Sequence, residues 1–171
     1  GGKVQFMRSR NVAFFGHGLK PLTRYYPFFD GRSGIDIIPK LIEITMSSGS
    51  FQIDEIVEGF GISPAGSCRF RVAQPNHRTG PYSQTSGGCF SFYVVNPYEP
   101  DNGIASAYTE SSTILNVDLE SLLDETRGEY WGFVTKNMQL KGLTSGAIAT
   151  VTNVRMVADN LGAVNGAFWI R

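Results

Sequence analysis

The chain has 171 residues, of which 42% are hydrophobic, 12% aromatic and 18% charged, and its formal net charge is zero. This apolar and aromatic content suits a folded core and excludes an intrinsically disordered chain. Lys and Arg are balanced by Asp and Glu, and no apolar run reaches 18 residues, so we expect neither a nucleic-acid partner nor membrane insertion.

Short strand patterns separated by turn residues run along the whole sequence. Residues 4–15 alternate imperfectly between apolar and polar side chains, and the aromatic run 22–29 follows a Gly-Leu-Lys-Pro turn at 18–21. Pro27 cannot donate a sheet hydrogen bond, so this second strand is predicted to be bulged or at an edge. Further strands are predicted at 40–46, 51–59, 68–72, 88–96, 113–117, 132–135, 138–140, 147–156 and 167–170.

Only one segment favours a helix. Asp118 or Ser121 could cap a short turn that runs through 122–125 and ends at Gly128. The polar segment 75–88 is rich in Gly, Pro and Ser and predicts a long surface loop.

Many short strands with almost no helical period predict an all-β fold, a β-sandwich of the immunoglobulin-like or a related type. An alternative is a sandwich that carries an inserted small β subdomain. In that arrangement residues 4–39 and 154–171 form the frame, and 40–153 form the insert. Because Gly1 and Gly2 have no preceding Met, we expect residues 1–171 to be a fragment of a larger protein.

The reactive residue types do not form a recognisable site. Cys68 and Cys89 are too few for a disulfide scaffold and are predicted to be buried free thiols, with a single disulfide as the alternative. His17 and His77 read as loop histidines, and with the two cysteines they lack the paired spacing of a zinc site. We therefore predict no metal and no cofactor.

The carboxylate pairs do not resemble a catalytic dyad. Two acids that act on a sugar must face each other across it, whereas Asp54 and Glu55 on one strand would point to opposite faces. Asp124 and Glu125 fall in the predicted helical turn and read as a solvated face. We therefore predict no catalytic residues.

Aromatic residues are the remaining signal. Phe14, Phe28, Phe90 and Phe92 are predicted to pack in the core. Four aromatics that border loops are predicted surface contacts, because exposed Tyr and Trp suit protein interfaces and sugar stacking: Tyr82, Tyr98, Tyr130 and Trp131.

Two neighbouring segments, 6–14 and 18–31, carry a resemblance that continues through 39–44, 51–59, 70–77, 112–118 and 144–155. Together these segments resemble a module of virion structural proteins in T4-like contractile-tailed phages, notably those that infect cyanobacteria. The related proteins are of the baseplate wedge or tail-fibre-associated kind.

The resemblance implies a non-enzymatic structural module of a longer virion polypeptide, located in the phage tail or baseplate. Its expected partners are other tail and baseplate subunits. The alternative function is a carbohydrate-binding or host-receptor-binding module of the same particle, for which a host surface glycan would be the partner. A polysaccharide-degrading enzyme is disfavoured, because no facing carboxylates are predicted.

Overall fold

The computed structural model describes residues 9–26, 28–29, 32–33, 35–61, 67–86, 88, 91–123 and 128–170. The strands, in chain order, are Arg10–Gly16 (β1), Arg24–Tyr25 (β2), Phe28–Phe29 (β3), Arg32–Ser33 (β4), Ile37–Pro39 (β5), Leu41–Ser48 (β6), Ile56–Phe60 (β7), Ser67–Arg71 (β8), His77–Thr79 (β9), Ser91–Phe92 (β10), Ile114–Asn116 (β11), Trp131–Gly132 (β12), Gln139–Gly142 (β13), Ile148–Asn153 (β14), Met156–Val157 (β15) and Val164–Ile170 (β16). The helix α1 spans Leu119–Leu123, and a 3₁₀ turn spans Gln84–Ser86.

The predicted all-β class is confirmed. Strand is far more abundant than helix among the described residues, and a large curled antiparallel sheet gives the fold its sandwich-like character. This sheet has seven strands in the order β11-β6-β14-β13-β7-β8-β12, and every neighbouring pair is antiparallel. A second sheet has the order β1-β16-β5.

The inner face of the seven-stranded sheet is apolar, because apolar residues occupy alternate positions on its strands. Val57, Phe70 and Leu140 are fully buried there on β7, β8 and β13. Gly59 is required on β7, because a Cβ at this position would lie 2.6 Å from the Cys68 Sγ. The Cys68 side chain therefore packs directly over this glycine.

The chain passes between the two sheets at Lys40, which separates β5 from β6, and it leaves the seven-stranded sheet after Asn153 and returns to the second sheet at β16. The second sheet nevertheless shares the main core, since Ile38 of β5 and Ala167 of β16 are buried in the same hydrophobic cluster as the seven-stranded sheet. Strand pairing therefore divides close to the proposed 39/40 and 153/154 boundaries, while packing joins the parts. An inserted subdomain at 40–153 stays a prediction.

Asn11 links the two sheets at their edges. Its Nδ2 donates to the Gly132 carbonyl at 2.8 Å, and its Oδ1 accepts from the Gly132 N–H at 2.9 Å. Gly132 has φ of 110°, a conformation that glycine adopts readily. The side-chain amide of β1 therefore takes the place of a neighbouring strand beside β12.

Several predicted elements differ in the structure. Within 22–29 the structure has the two short strands β2 and β3, and the described part of 88–96 has only β10. The predicted strand 132–135 overlaps β12 at Gly132 alone. The segment 51–59 is not one strand, because 51–55 form a turn in which Asp54 has φ of 78°, and β7 begins only at Ile56. The segment 75–88 is not simply a surface loop, because it contains β9 and the 3₁₀ turn, and Pro75, His77 and Ser83 are buried.

The predicted helix cap and the buried thiol agree with the structure. Asp118 caps α1, since its Oδ1 accepts from the Glu120 N–H at 3.2 Å. Cys68 is a buried free thiol, and burial raises its pKa to about 12. Cys89 and the side chains of Phe28 and Phe90 lie outside the described residues. Phe14 packs against Phe168 with ring centroids 4.5 Å apart, and Phe92 is half-buried.

Candidate functional site

The outer face of the seven-stranded sheet carries a row of charged and aromatic side chains. Antiparallel register aligns Lys141 of β13 with Glu58 of β7, Glu58 with Arg69 of β8, and Arg69 with Trp131 of β12. The Arg69 Nη1 donates to the Glu58 Oε1. Trp131 ends the row on the edge strand and is 39% exposed.

A second outer row contains Phe60, which sequence reasoning missed. Phe60 lies between Gln139 of β13 and Ser67 of β8, and it is 65% exposed. Because residues two apart on a strand share a face, Phe60 points to the same side as Glu58. The signal available in the sequence was this period of two from Glu58. We call Glu58, Phe60, Arg69, Trp131 and Lys141 the outer face.

The four predicted contact residues lie in different surroundings. Trp131 is exposed, whereas Tyr82, Tyr98 and Tyr130 are half-buried. The Arg71 guanidinium lies 4.4 Å from the centre of the Tyr82 ring. Tyr130 packs partly against the main core.

Tyr98 is anchored rather than displayed. Its hydroxyl donates to the Leu41 carbonyl at 2.6 Å, and the Arg155 guanidinium lies 5.0 Å from its ring centre. Burial, followed by the nearby charge of Glu43, raises the pKa of Tyr98. This tyrosine therefore holds the loop at 93–99 against the two sheets.

Two clefts adjoin this loop. One, of about 200 Å³, is lined by the carboxylates of Glu43 and Glu99 and by the Tyr98 ring. The other, of about 170 Å³, has a mixed lining that includes Ile104 and Ala107 together with Ser and Thr residues. Asn96, Thr113 and Ile114 line both clefts, so the two clefts adjoin each other.

His77 is buried, which corrects the expectation of an exposed loop histidine. Its Nε2 lies 2.8 Å from the Gly80 carbonyl and therefore carries the proton, so Nδ1 can accept from the Lys40 Nζ at 2.8 Å. Burial, followed by the positive charge of Lys40, lowers the pKa of His77 to about 4. The imidazole is neutral at pH 7 and supports Lys40, whose Nζ also donates to the Val117 carbonyl at 2.6 Å.

His17 differs in being exposed on the turn after β1. Its ring stacks on the Phe15 ring with centroids 5.5 Å apart. The two histidines are thus in separate environments, and neither pairs with the other in the described contacts.

Buried Glu55 fastens two turns together. Its Oε1 accepts from the backbone N–H groups of Thr144 and Ser145 at 3.1 and 3.0 Å, and its Oε2 accepts from the Gln52 N–H at 2.5 Å. Asp54 beside it has a side chain that is 58% exposed. The two acids therefore do face different surroundings, although they lie in a turn and not on a strand.

The other buried carboxylates are paired with arginines. Asp118 accepts from the Nε and Nη2 of Arg71 at 2.9 and 2.6 Å. Asp159 accepts from the Arg78 Nε at 2.9 Å, and its second oxygen accepts from the Ala163 N–H at 3.0 Å. These acids hold separate parts of the chain together.

Across the described ranges, no three His, Cys, Asp or Glu residues are grouped so that they could hold a metal ion. None of the helices there is both long and apolar enough to cross a membrane. Comparisons with family models, with curated proteins and with solved structures gave no match to this chain.

Proposed function

We propose that this chain is a non-enzymatic structural domain of a phage tail or baseplate protein, which acts in virion assembly through contacts with other subunits. The resemblance of 6–31 and the later segments to virion modules supports the location. The use of buried charges supports a structural role, because Glu55, Asp118 and Asp159 each fix one part of the backbone to another.

The observation that carries the proposal is the Glu55 cluster. A buried carboxylate whose oxygens accept hydrogen bonds from backbone N–H groups is pre-organised to hold a turn. The Ser145 hydroxyl also donates to Glu55 Oε1 at 3.1 Å. A β-sandwich whose turns are held by buried hydrogen bonds is suited to forming rigid contacts between subunits.

Mass spectrometry of gradient-purified virions that encode this chain tests the location. We expect its peptides in the particles, enriched in separated tails and depleted in separated heads, at the abundance of known tail subunits. Peptides confined to the lysate of infected cells, with none in the particles, would contradict the proposal. Release of reducing ends from a panel of bacterial polysaccharides by the purified chain would contradict its non-enzymatic part.

The second candidate is a glycan-binding module, and the exposed Trp131 is the observation that favours it. An exposed aromatic ring on an edge strand can stack on a sugar, and Arg69, which pairs with Trp131 in register, offers a donor beside it. A glycan array should show binding that is lost in Trp131→Ala and kept in Phe15→Ala, a control that removes an exposed aromatic elsewhere. Equal binding by both variants would remove the candidate.

A further inference from the structure

Four large apolar side chains are exposed at the end of β1 and on the segments beside β1 and β16: Phe15, Leu22, Tyr26 and Leu161. Leu22 is held in the left-handed region at φ of 53°, which is uncommon for a residue other than glycine. Its N–H donates to the Ala158 carbonyl at 3.0 Å, and the Leu161 N–H donates to Asp159 Oδ1 at 2.8 Å. Both leucines are thus fixed next to the 158–159 backbone with their side chains in solvent.

Positive charge accompanies this apolar surface. Residues 9–26 contain Arg10, Lys20 and Arg24 and no Asp or Glu. Lys20 and Arg24 are exposed, and the Arg24 guanidinium lies 4.7 Å from the centre of the Tyr26 ring. We call Lys20, Leu22, Arg24, Tyr26 and Leu161 the basic face.

A surface of opposite character lies elsewhere on the same chain. The cleft of about 170 Å³ has an apolar part formed by residues such as Ile104 and Ala107, and Ser and Thr side chains line the rest of it. Residues 79–126 contain no Lys or Arg, and the exposed Asp101 and Glu110 lie next to the lining residues in the chain without lining the cleft themselves. We call Ile104, Ala107, Asp101 and Glu110 the acidic cleft.

We propose that the basic face of one copy docks into the acidic cleft of a second copy of this chain. The exposed leucines and Tyr26 would cover the apolar lining, while Lys20 and Arg24 would face Asp101 and Glu110. Opposite charges on two patches steer the encounter and set its orientation. A formal net charge of zero adds no long-range repulsion between copies.

A second copy is favoured over other occupants because two copies use both surfaces, the basic face of one copy and the acidic cleft of the other. An anionic lipid surface or a nucleic acid would engage the basic face and leave the acidic cleft unused. The proposal rests on the proposed structural function, since it names the chain's own copy as one assembly partner. A patch that binds a different patch is heterologous, so the symmetry of the docking decides whether a closed ring or an open array forms.

Charge reversal in sedimentation velocity tests the pairing. We expect self-association of the wild-type chain to be detectable within a concentration range that extends to about 1 mM. The association should be weaker at high salt than at low salt. Lys20→Glu/Arg24→Glu and Asp101→Lys/Glu110→Lys should each weaken self-association at least about tenfold. An equimolar mixture of the two variants should associate again, because each supplies the surface that the other has lost.

The control is Lys136→Glu, which reverses the charge of an exposed lysine that lies outside both surfaces and outside the outer face, and which should leave association unchanged. Circular dichroism of each variant checks that it is folded. A wild-type chain that stays monomeric overturns the proposal, as does a mixture that fails to associate. The proposal is also overturned if only the Lys20→Glu/Arg24→Glu variant loses association and the wild-type chain binds anionic vesicles or DNA. If the chain is present in purified tails but does not contact a second copy of itself there, this pairing is overturned and the structural function is left intact.

Discussion

The interior of the seven-stranded sheet and its margins are held together by different means. The interior is filled by aliphatic and aromatic side chains from every long strand, so that each residue makes many partly interchangeable contacts. The margins depend on single buried polar residues, such as Asn11, Glu55 and His77, each with one set of partners. Damage to the interior should therefore affect the whole fold, while damage to a margin should be local or conditional.

The largest effect is expected from truncation of the interior. Phe70→Ala removes a fully buried ring, and we expect the free energy of unfolding to fall by about 3–5 kcal/mol. Phe60→Ala removes the same ring from the outer face and should change it by less than about 0.5 kcal/mol. Urea unfolding of both variants measures the difference, and equal losses would contradict the assigned faces.

A conditional effect is expected at His77. Its folded pKa of about 4 lies below the ordinary 6.5, so the unfolded state takes up the proton first. The contribution of His77 is complete above about pH 6.5 and is lost as the pH falls towards 4, at a cost of about 3 kcal/mol.

Carboxylates also titrate in this range, so the comparison must be made between variants. His77→Gln should remove this part of the pH dependence, whereas His17→Gln, at an exposed position, should keep it. Identical pH profiles for wild type and His77→Gln would show that His77 is not buried neutral.

The smallest effect is expected at the edge. Asn11→Leu leaves the N–H and carbonyl of Gly132 without their side-chain partners, and we expect a loss of about 1–3 kcal/mol. Hydrogen exchange should speed up at Gly132 while the amides of β7 and β13 stay protected. Ala13→Ser, on an exposed position of the same strand, is the control, and equal exchange in both variants would argue against the link.

The sequence predicted the interior far better than the margins. The alternation at 138–140 found β13 because a half-buried strand requires a period of two. The segment 113–117 was found from its apolar and β-branched residues, and β11 is buried throughout. The strand predicted at 51–59 was wrong in its first half, because Asp54 adopts a left-handed conformation that no pattern reveals.

The candidate site was only partly predictable. Trp131 was named from the sequence, but Phe60 was not, since its exposure follows from which face of β7 is covered. His77 was misjudged because its partner Lys40 lies 37 positions away, so a polar segment looked like a solvated loop. Non-local pairs of this kind have no local spacing to detect.

The Asn11 amide has a further consequence for how this sheet meets other chains. A free sheet edge is a template on which another chain can add a strand, and repeated addition leads to fibrils. At Gly132 this position is already taken by a side chain from within the same molecule. Strand addition at this point of β12 therefore requires that the Asn11 amide first be displaced.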